Sequence, residues 1–331
     1  MIDSSPVKGF SWKGRRVMVT GADGFMGSHL AERLLKQGAS VTVYVRGNSI
    51  NGTHLHTLKN TAHLEKRFRL ILTGDIAAAD AIDLIRDDAP EYIFHLAADA
   101  YVPNSFSHPI EVFETNLTGT LHVLQAARKI KRLKRVVCTS SSEVYGTAQY
   151  APIDETHPLN PTSPYAASKA SADRAAWSWW NTYGLPVAII RPFNTYGPRH
   201  TYDVIPKFIA LALQGKTLTV HGSGKQTRDF TYIDDMVRGF LIMGSHPEAV
   251  GRVVNFGTGK DVAVKDIAQK IVRLSGSASP IVHTDERAAQ VQRLICGWKL
   301  ANKLFGFRPT VDIDEGLRRN IEWARVHQPR A

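Results

Sequence analysis

Cysteine is nearly absent: Cys138 and Cys296 are the whole complement of a 331-residue chain. Two thiols suggest no disulfide framework, so the sequence reads as that of a protein from a reducing, cytoplasmic compartment. Long apolar runs are missing too. No stretch reaches the roughly eighteen apolar residues that mark a membrane span. Met1 to Lys13 carries Asp3, Pro6 and Lys8 where a secretory leader is apolar, and reads as a short arm before the first strand. Acid is short relative to base, with 30 Asp and Glu against 41 Lys and Arg, giving a net charge of +11. No helix-turn-helix, zinc or RNA-binding pattern accompanies that excess, so nucleic acid is not the expected partner. The basic run Lys129 to Arg135 sits where a helix ends, a place that suits cations. A multiply anionic small ligand accounts for part of the excess equally well. His54, His56 and His63 lie in a polar stretch without other ligand types, which argues against a metal site. No internal repeat or low-complexity segment is present.

What is there is alternation. Val17 to Thr20, Val41 to Val45, Leu70 to Thr73, Tyr92 to Leu96, Arg135 to Thr139 and Val187 to Arg191 are short, β-branched strand candidates. Between them, residues 28–37, 79–87, 112–129 and 165–183 carry helical patterns. Such alternation predicts an α/β fold, a Rossmann-type doubly wound parallel sheet with helices on both faces. Ligands of such sheets bind beyond the carboxyl ends of the strands. After Arg191, Pro, Gly and aromatic residues become dense, then a helix is expected over 206–214 and a strand over 253–256. The expected division is a dinucleotide domain over 1–190, with a return segment near 231–258, and a smaller C-terminal substrate-binding lobe over 191–331.

Strand Val17 to Thr20 runs straight into Gly21-Ala22-Asp23-Gly24-Phe25-Met26-Gly27 and then into a helix. Gly21 permits a tight turn, Gly24 lets backbone approach a pyrophosphate, and Gly27 allows close packing of helix on strand. Phe25 and Met26 open the helix, whose N-terminal N–H groups and dipole suit phosphate. Strand, spacing and helix together point to a bound dinucleotide. NAD sites commonly place a carboxylate about twenty residues on. Here Val45 is followed by Arg46-Gly47-Asn48-Ser49, a basic and polar loop suited to a 2′-phosphate, which favours NADP over NAD. Asp75, with Ile76 beside it, is placed for the adenine edge.

Tyr165 and Lys169 are four residues apart, on one face of a helix. A phenol is a poor base near neutrality, with a reference pKa of about 10. A neighbouring ammonium and a cationic nicotinamide ring favour the phenolate and bring that value down. Tyr165 then removes a hydroxyl proton as hydride leaves the same carbon. The strand ending at Thr139 runs into Ser140-Ser141-Ser142-Glu143-Val144-Tyr145-Gly146. A serine there reaches the reacting oxygen, and Glu143 adds a second acid/base.

With these motifs, His95-Leu96-Ala97-Ala98, Arg191-Pro192-Phe193-Asn194 and Arg228-Asp229-Phe230-Thr231-Tyr232-Ile233-Asp234-Asp235, the chain resembles the extended short-chain dehydrogenase/reductase family. The resemblance is to its nucleotide-sugar epimerase/dehydratase branch and covers nearly everything after the N-terminal arm. It implies a hydride-transfer triad of Ser141, Tyr165 and Lys169, a structural Asn116, and a cofactor lining of Leu96, Ala97 and Ala98. It implies that Asn194 meets a nucleoside-diphosphate sugar at its diphosphate, Arg228 at a phosphate or ribose, and Arg287 at the diphosphate again. Val204 to Phe208, including Lys207, together with Val220 would hold the base. The family commonly dimerises through the Tyr165 helix and the helix before it, so a homodimer is expected, with Trp177, Trp179 and Trp180 as core or dimer face.

Members of this branch oxidise the sugar at C4, which acidifies the C5 proton. Glu143 resembles the base of the 4,6-dehydratases, where epimerases commonly carry a non-acidic residue. Many dehydratases have Asp before that Glu, whereas this chain has Ser142, and a Ser-Glu pair also appears in nucleotide-sugar decarboxylases. Thr139 to Asp154 most resembles 4,6-dehydratases of the legionaminic-acid pathway. The expectation is a 4,6-dehydratase that recycles its cofactor's hydride, ahead of a 4-epimerase or a uronate decarboxylase. The alternative from another class is a non-catalytic, cofactor-sensing protein. Loss of Tyr165, Lys169 or the glycine turn would mark it, and all are present.

Overall fold

The computed structural model describes residues 7–46, 58–286 and 291–327. Asn48, Ser49 and Arg287, with Gly47, His54 and His56, lie outside the described residues.

Six strands and the helices between them build most of the first unit. In chain order these are β1 (Arg16–Thr20), α1 (Phe25–Lys36), β2 (Ser40–Val45), β3 (Leu70–Thr73), α2 (Ala81–Asp88) and β4 (Tyr92–His95). Then come the short helices α3 (Asn104–Ser107) and α4 (Pro109–Phe113), followed by α5 (Gly119–Arg128), β5 (Arg135–Thr139), α6 (Pro164–Tyr183) and β6 (Val187–Pro192). The strands that read as uninterrupted apolar runs are buried on both faces, as central parallel strands must be. Helices cover both faces. Leu30, Leu34 and Leu35 of α1 are buried, and so are Val123, Leu124 and Ala127 of α5.

The expected helix over 112–129 is not uniform. Between α4 and α5 the chain adopts one π-helical segment, Glu114–Thr118, which contains the buried Asn116. An inserted turn of that kind re-aims a side chain inside a helix and is frequent at functional sites.

The remaining elements are β7 (Thr195–Tyr196), α7 (Val204–Leu213), β8 (Leu218–His221), β9 (Thr227–Asp229), β10 (Thr231–Tyr232), α8 (Ile233–Ser245) and β11 (Val253–Phe256). They are followed by β12 (Asp261–Ala263), α9 (Val264–Ser275), β13 (Ile281–Thr284), β14 (Arg293–Leu294), α10 (Lys299–Phe305) and α11 (Ile313–His327). Strand β11 returns to the main sheet, a parallel seven-stranded layer ordered β11-β6-β5-β4-β1-β2-β3. Strand order reverses between β1 and β4, the switch point beyond which such sheets bind ligands.

Two compact units emerge. One takes the described residues of Met1–Val144, Ser163–Arg191 and Val237–Val254; the other takes those of Tyr145–Thr162, Pro192–Met236 and Asn255–Ala331. The segment 145–162, expected in the first domain, clusters with the second. Tyr145 Oη donates to Asn255 Oδ1 at 2.7 Å, and Ile153 pairs with Ile295 and Cys296 through backbone contacts. These partners are over a hundred residues away, so local pattern does not show them. Among the described residues no helix is long and apolar enough to cross a membrane.

Candidate active site

The glycine turn closes against the end of β4. Gly21 has φ +67°, and a Cβ there would lie 2.8 Å from the Ala97 nitrogen. A Cβ on Gly27 would lie 2.2 Å from the Gly21 carbonyl oxygen. Both positions therefore require glycine. Gly24 begins α1 in an extended conformation, no side chain caps the helix, and its first turn holds no acid. Phe25 and Met26 are half-buried in that turn. This close-backed cradle, with a helix dipole aimed out of it, fits a pyrophosphate. Leu96, Ala97 and Ala98 follow the buried His95 and are partly exposed beside the turn.

At the ends of β2 and β3 the expected cofactor residues meet one another. Arg46 Nη2 lies 3.8 Å from Asp75 Oδ2, and Asp75 Oδ1 accepts the Ala77 amide at 2.9 Å. Ile76 is buried against Gly119, where a Cβ would come within 2.7 Å of its Cγ2. Sequence reasoning gave Asp23 no role. Its carboxylate accepts the amides of Lys59, Asn60 and Thr61 and so holds the returning chain against the glycine turn.

Helix α6 begins with Ser163, whose Oγ accepts the Ala166 amide at 3.1 Å, and Pro164 occupies its first position. It ends at Gly184 with φ +66°. A serine cap, then proline, then a left-handed glycine stop fixes the helix register. Tyr165 and Lys169 are both buried on it. Lys169 Nζ donates to the Thr139 carbonyl at 2.5 Å, joining the helix to the end of β5 two residues before Ser141. Burial pushes the Lys169 ammonium down to about 8, against the opposing pull of Cys138 and Asp173.

Ser142–Tyr145 forms a single 3-10 turn. Ser141 Oγ accepts the Glu143 amide at 3.2 Å, Ser141 and Ser142 are buried, and Glu143 is half-buried. The β5 end and α6 thus bring all five expected catalytic residues into one unit. Asp173, one turn beyond Lys169, was missed. Its carboxylate receives Arg191 Nε at 2.8 Å and Nη2 at 3.1 Å. The signal was the unbroken spacing of four through Tyr165, Lys169 and Asp173.

The second unit carries the remaining candidates. The Asn194 carbonyl accepts the Thr231 amide at 2.9 Å, while its buried Oδ1 has no hydrogen-bond partner among the described residues. Val204 is half-buried and Lys207 exposed at the start of α7. Arg228 Nη1 donates to the carbonyls of Thr227 and Val291. Val220 is wholly buried in β8, and a Cβ on Gly224 would lie 2.8 Å from its Cγ1. Among the described residues no group of three or more His, Cys, Asp or Glu is placed to hold a metal ion.

Comparison with known proteins gives the chain's family. Residues 18–320 match the family model described as GDP-mannose 4,6 dehydratase. The chain is 34% identical over 320 residues to a trifunctional UDP-glucose 4,6-dehydratase/UDP-4-keto-6-deoxy-D-glucose 3,5-epimerase/UDP-4-keto-L-rhamnose-reductase of Arabidopsis thaliana. That match covers 95% of this chain and 48% of the plant protein, so the chain spans about half the length of that relative. It is 35% identical over 333 residues to UDP-glucuronic acid decarboxylase 1 of Xenopus tropicalis, covering 97% and 75% of the two chains. A crystal structure of a dTDP-glucose 4,6-dehydratase double mutant from Streptomyces venezuelae, with NAD bound, superposes with a TM-score of 0.85. The identity is 31%, over 95% of this chain and 98% of that one.

Proposed function

The chain belongs to the GDP-mannose 4,6-dehydratase family, in the nucleotide-sugar branch of the extended short-chain dehydrogenases/reductases, and from that premise we propose that it is a nucleotide-sugar 4,6-dehydratase. The observation that carries the reading is Glu143, a half-buried carboxylate whose amide is tied to Ser141 at the end of β5. Gly21, Gly24 and Gly27 with Leu96 to Ala98 are assigned to the dinucleotide, and the Arg46–Asp75 pair to its adenosine end. Arg46 follows β2 at the place where NAD sites commonly carry a carboxylate, and this supports NADP. When bound, the nicotinamide supplies a reversible store for the C4 hydride.

The residues then divide the proton work. Tyr165 takes the C4 hydroxyl proton, Lys169 stabilises the resulting phenolate, and Ser141 holds the C4 oxygen. Glu143 removes the C5 proton made acidic by the 4-ketone. Ser142 hydrogen-bonds to the departing C6 hydroxyl and passes to it the proton that Glu143 took from C5, with which it leaves as water. Asn194 and Arg228 are assigned to the diphosphate, and Val204 and Lys207 to the base. A homodimer through α5 and α6 is proposed, since Tyr183 and Trp177 are exposed there under Arg128 and Arg174. A monomer mass in light scattering at micromolar concentration would remove that proposal.

The test is incubation with UDP-, GDP-, dTDP- and CDP-sugars, each with NAD and with NADP, read by mass spectrometry. Loss of one water from one nucleotide-sugar is expected. Unchanged mass with an altered NMR spectrum would make the protein an epimerase. Loss of carbon dioxide from a nucleotide-uronate would favour the decarboxylase reading that Ser142 keeps in view. Glu143→Gln should keep cofactor binding and lose elimination; full turnover in that variant would take Glu143 out of the mechanism.

A further inference from the structure

Thr20 ends β1 directly before Gly21, and His95 ends β4 directly before Leu96. The two are register partners, both buried, and His95 Nδ1 lies 2.8 Å from Thr20 Oγ1. On its other side His95 Nε2 lies 3.0 Å from Thr120 Oγ1 on α5. The proton count fixes the direction of each bond. A hydroxyl has one proton to give, and Thr120 Oγ1 gives its own to the Asn116 carbonyl at 2.6 Å. Thr120 must therefore accept from His95, which makes the ring the Nε2–H tautomer with an acceptor at Nδ1. Thr20 donates its proton to that acceptor. The lone pairs of Thr20 Oγ1 are left for the amides of Leu96 and Ala97, each at 3.2 Å.

The same count continues toward α6. Asn116 Nδ2 donates to the Asp99 carbonyl at 3.1 Å and to Ser168 Oγ at 2.9 Å, while Asn116 Oδ1 accepts the Asp99 amide. Ser168 Oγ then gives its proton to the Tyr165 carbonyl at 2.7 Å. Two directed runs of hydrogen bonds, joined covalently within Asn116, thus lead from the backbone behind the glycine turn to the backbone of Tyr165, with each proton assigned.

We propose that His95 is a positioning residue whose fixed tautomer couples the cofactor cradle to the Tyr165 helix. The functional half of this inference rests on the dehydratase reading, in which Tyr165 works on a sugar beside bound cofactor. Burial, and secondarily the Lys169 ammonium that faces the ring from α6, hold the imidazole down at about 3, so it stays neutral at working pH. A neutral ring is what the chain needs, because a protonated one has no acceptor for Thr20.

Nitrogen-15 NMR of histidine-labelled, cofactor-loaded protein reads the tautomer directly. The His95 signal should be the Nε2–H form and should not titrate across the neutral range. An Nδ1–H ring, or one that titrates near its ordinary value, overturns the inference. The second measurement is a double-mutant cycle on cofactor affinity with Thr20→Val and Thr120→Val, read by fluorescence of the reduced cofactor. Because both act through one ring, their effects should be non-additive by at least roughly twofold, the lower end of the range for coupled neighbours. Strict additivity overturns the coupling. Absence of hydride transfer in the wild type with every sugar would defeat the dehydratase reading alone, since neither readout needs turnover.

Discussion

Each unit buries an aspartate beside a residue assigned to the chemistry, and the two are supported in opposite ways. Asp173, in the first unit, lies one turn past Lys169 and is held by the guanidinium of Arg191, with Arg174 as a second partner. Asp229, in the second, adjoins Arg228 and, among the described residues, accepts only neutral donors. These are Thr258 N at 2.8 Å, Thr258 Oγ1 at 2.6 Å, Gly259 N at 2.7 Å and Cys296 N at 3.1 Å. Burial raises both carboxyls. For Asp173 the cations outweigh it and the carboxyl falls below its ordinary range; for Asp229 burial outweighs the four dipoles and the carboxyl stays above it. Charge balances charge next to Lys169, whereas oriented dipoles organise loop backbone around β9. The difference follows from what each must hold: a helix and strand bearing buried cations, or three chain segments with amides to satisfy.

The largest break in this comparison is Asp173→Asn, which leaves Arg191 buried without its counter-charge. A loss of about 3–5 kcal/mol is expected in denaturant unfolding, together with a Lys169 that gives up its proton more readily. A loss under about 1 kcal/mol would show that Arg191 finds other partners. Asp229→Asn costs less, about 1–3 kcal/mol, because one neutral amide group then faces the donors of Gly259 and Cys296.

The pH dependence sharpens the contrast, because the signs oppose. The stability from Asp173 is present above its unfolded value of 3.8 and fades as pH falls through its depressed folded value. Asp229 binds its proton more tightly folded than unfolded. Stability therefore falls as pH rises from 3.8 through its raised folded value. The cost of Asp173→Asn should shrink on acidification and that of Asp229→Asn should grow, measured as unfolding free energies at several pH values. Parallel trends would contradict the assignment. The smallest effect belongs to Arg174→Ala. With its side chain 47% exposed, its loss should cost under about 1 kcal/mol.

Much of the dinucleotide half was readable from local pattern. Strands β1, β3, β5 and β11 fall where the β-branched runs are, and α6 starts within one residue of expectation. Those elements are long or bounded by strong stop signals such as Ser163-Pro164 and Gly184. The π-helical segment around Asn116 was not readable, since it interrupts a pattern that is helical on both sides. The close packing of Gly224 on Val220 was not readable either, because it depends on a turn and not on the strand. His95 stood in a quoted motif without a role, because its partners Thr20 and Thr120 come from other elements.

The sequence by itself determined the glycine turn, the Tyr165–Lys169 face and the Ser141 to Glu143 strand end. Each is a short-range pattern whose physical cause lies within a few residues: φ freedom, helical spacing, or position after a strand. Tertiary structure alone decided which groups carry the protons and charges around them. Thr20 meets His95 across 75 positions and Asp173 meets Arg191 across 18, contacts that exist only once the strands are ordered and water is excluded. Burial then gives those contacts their strength, and burial is a property of the folded chain.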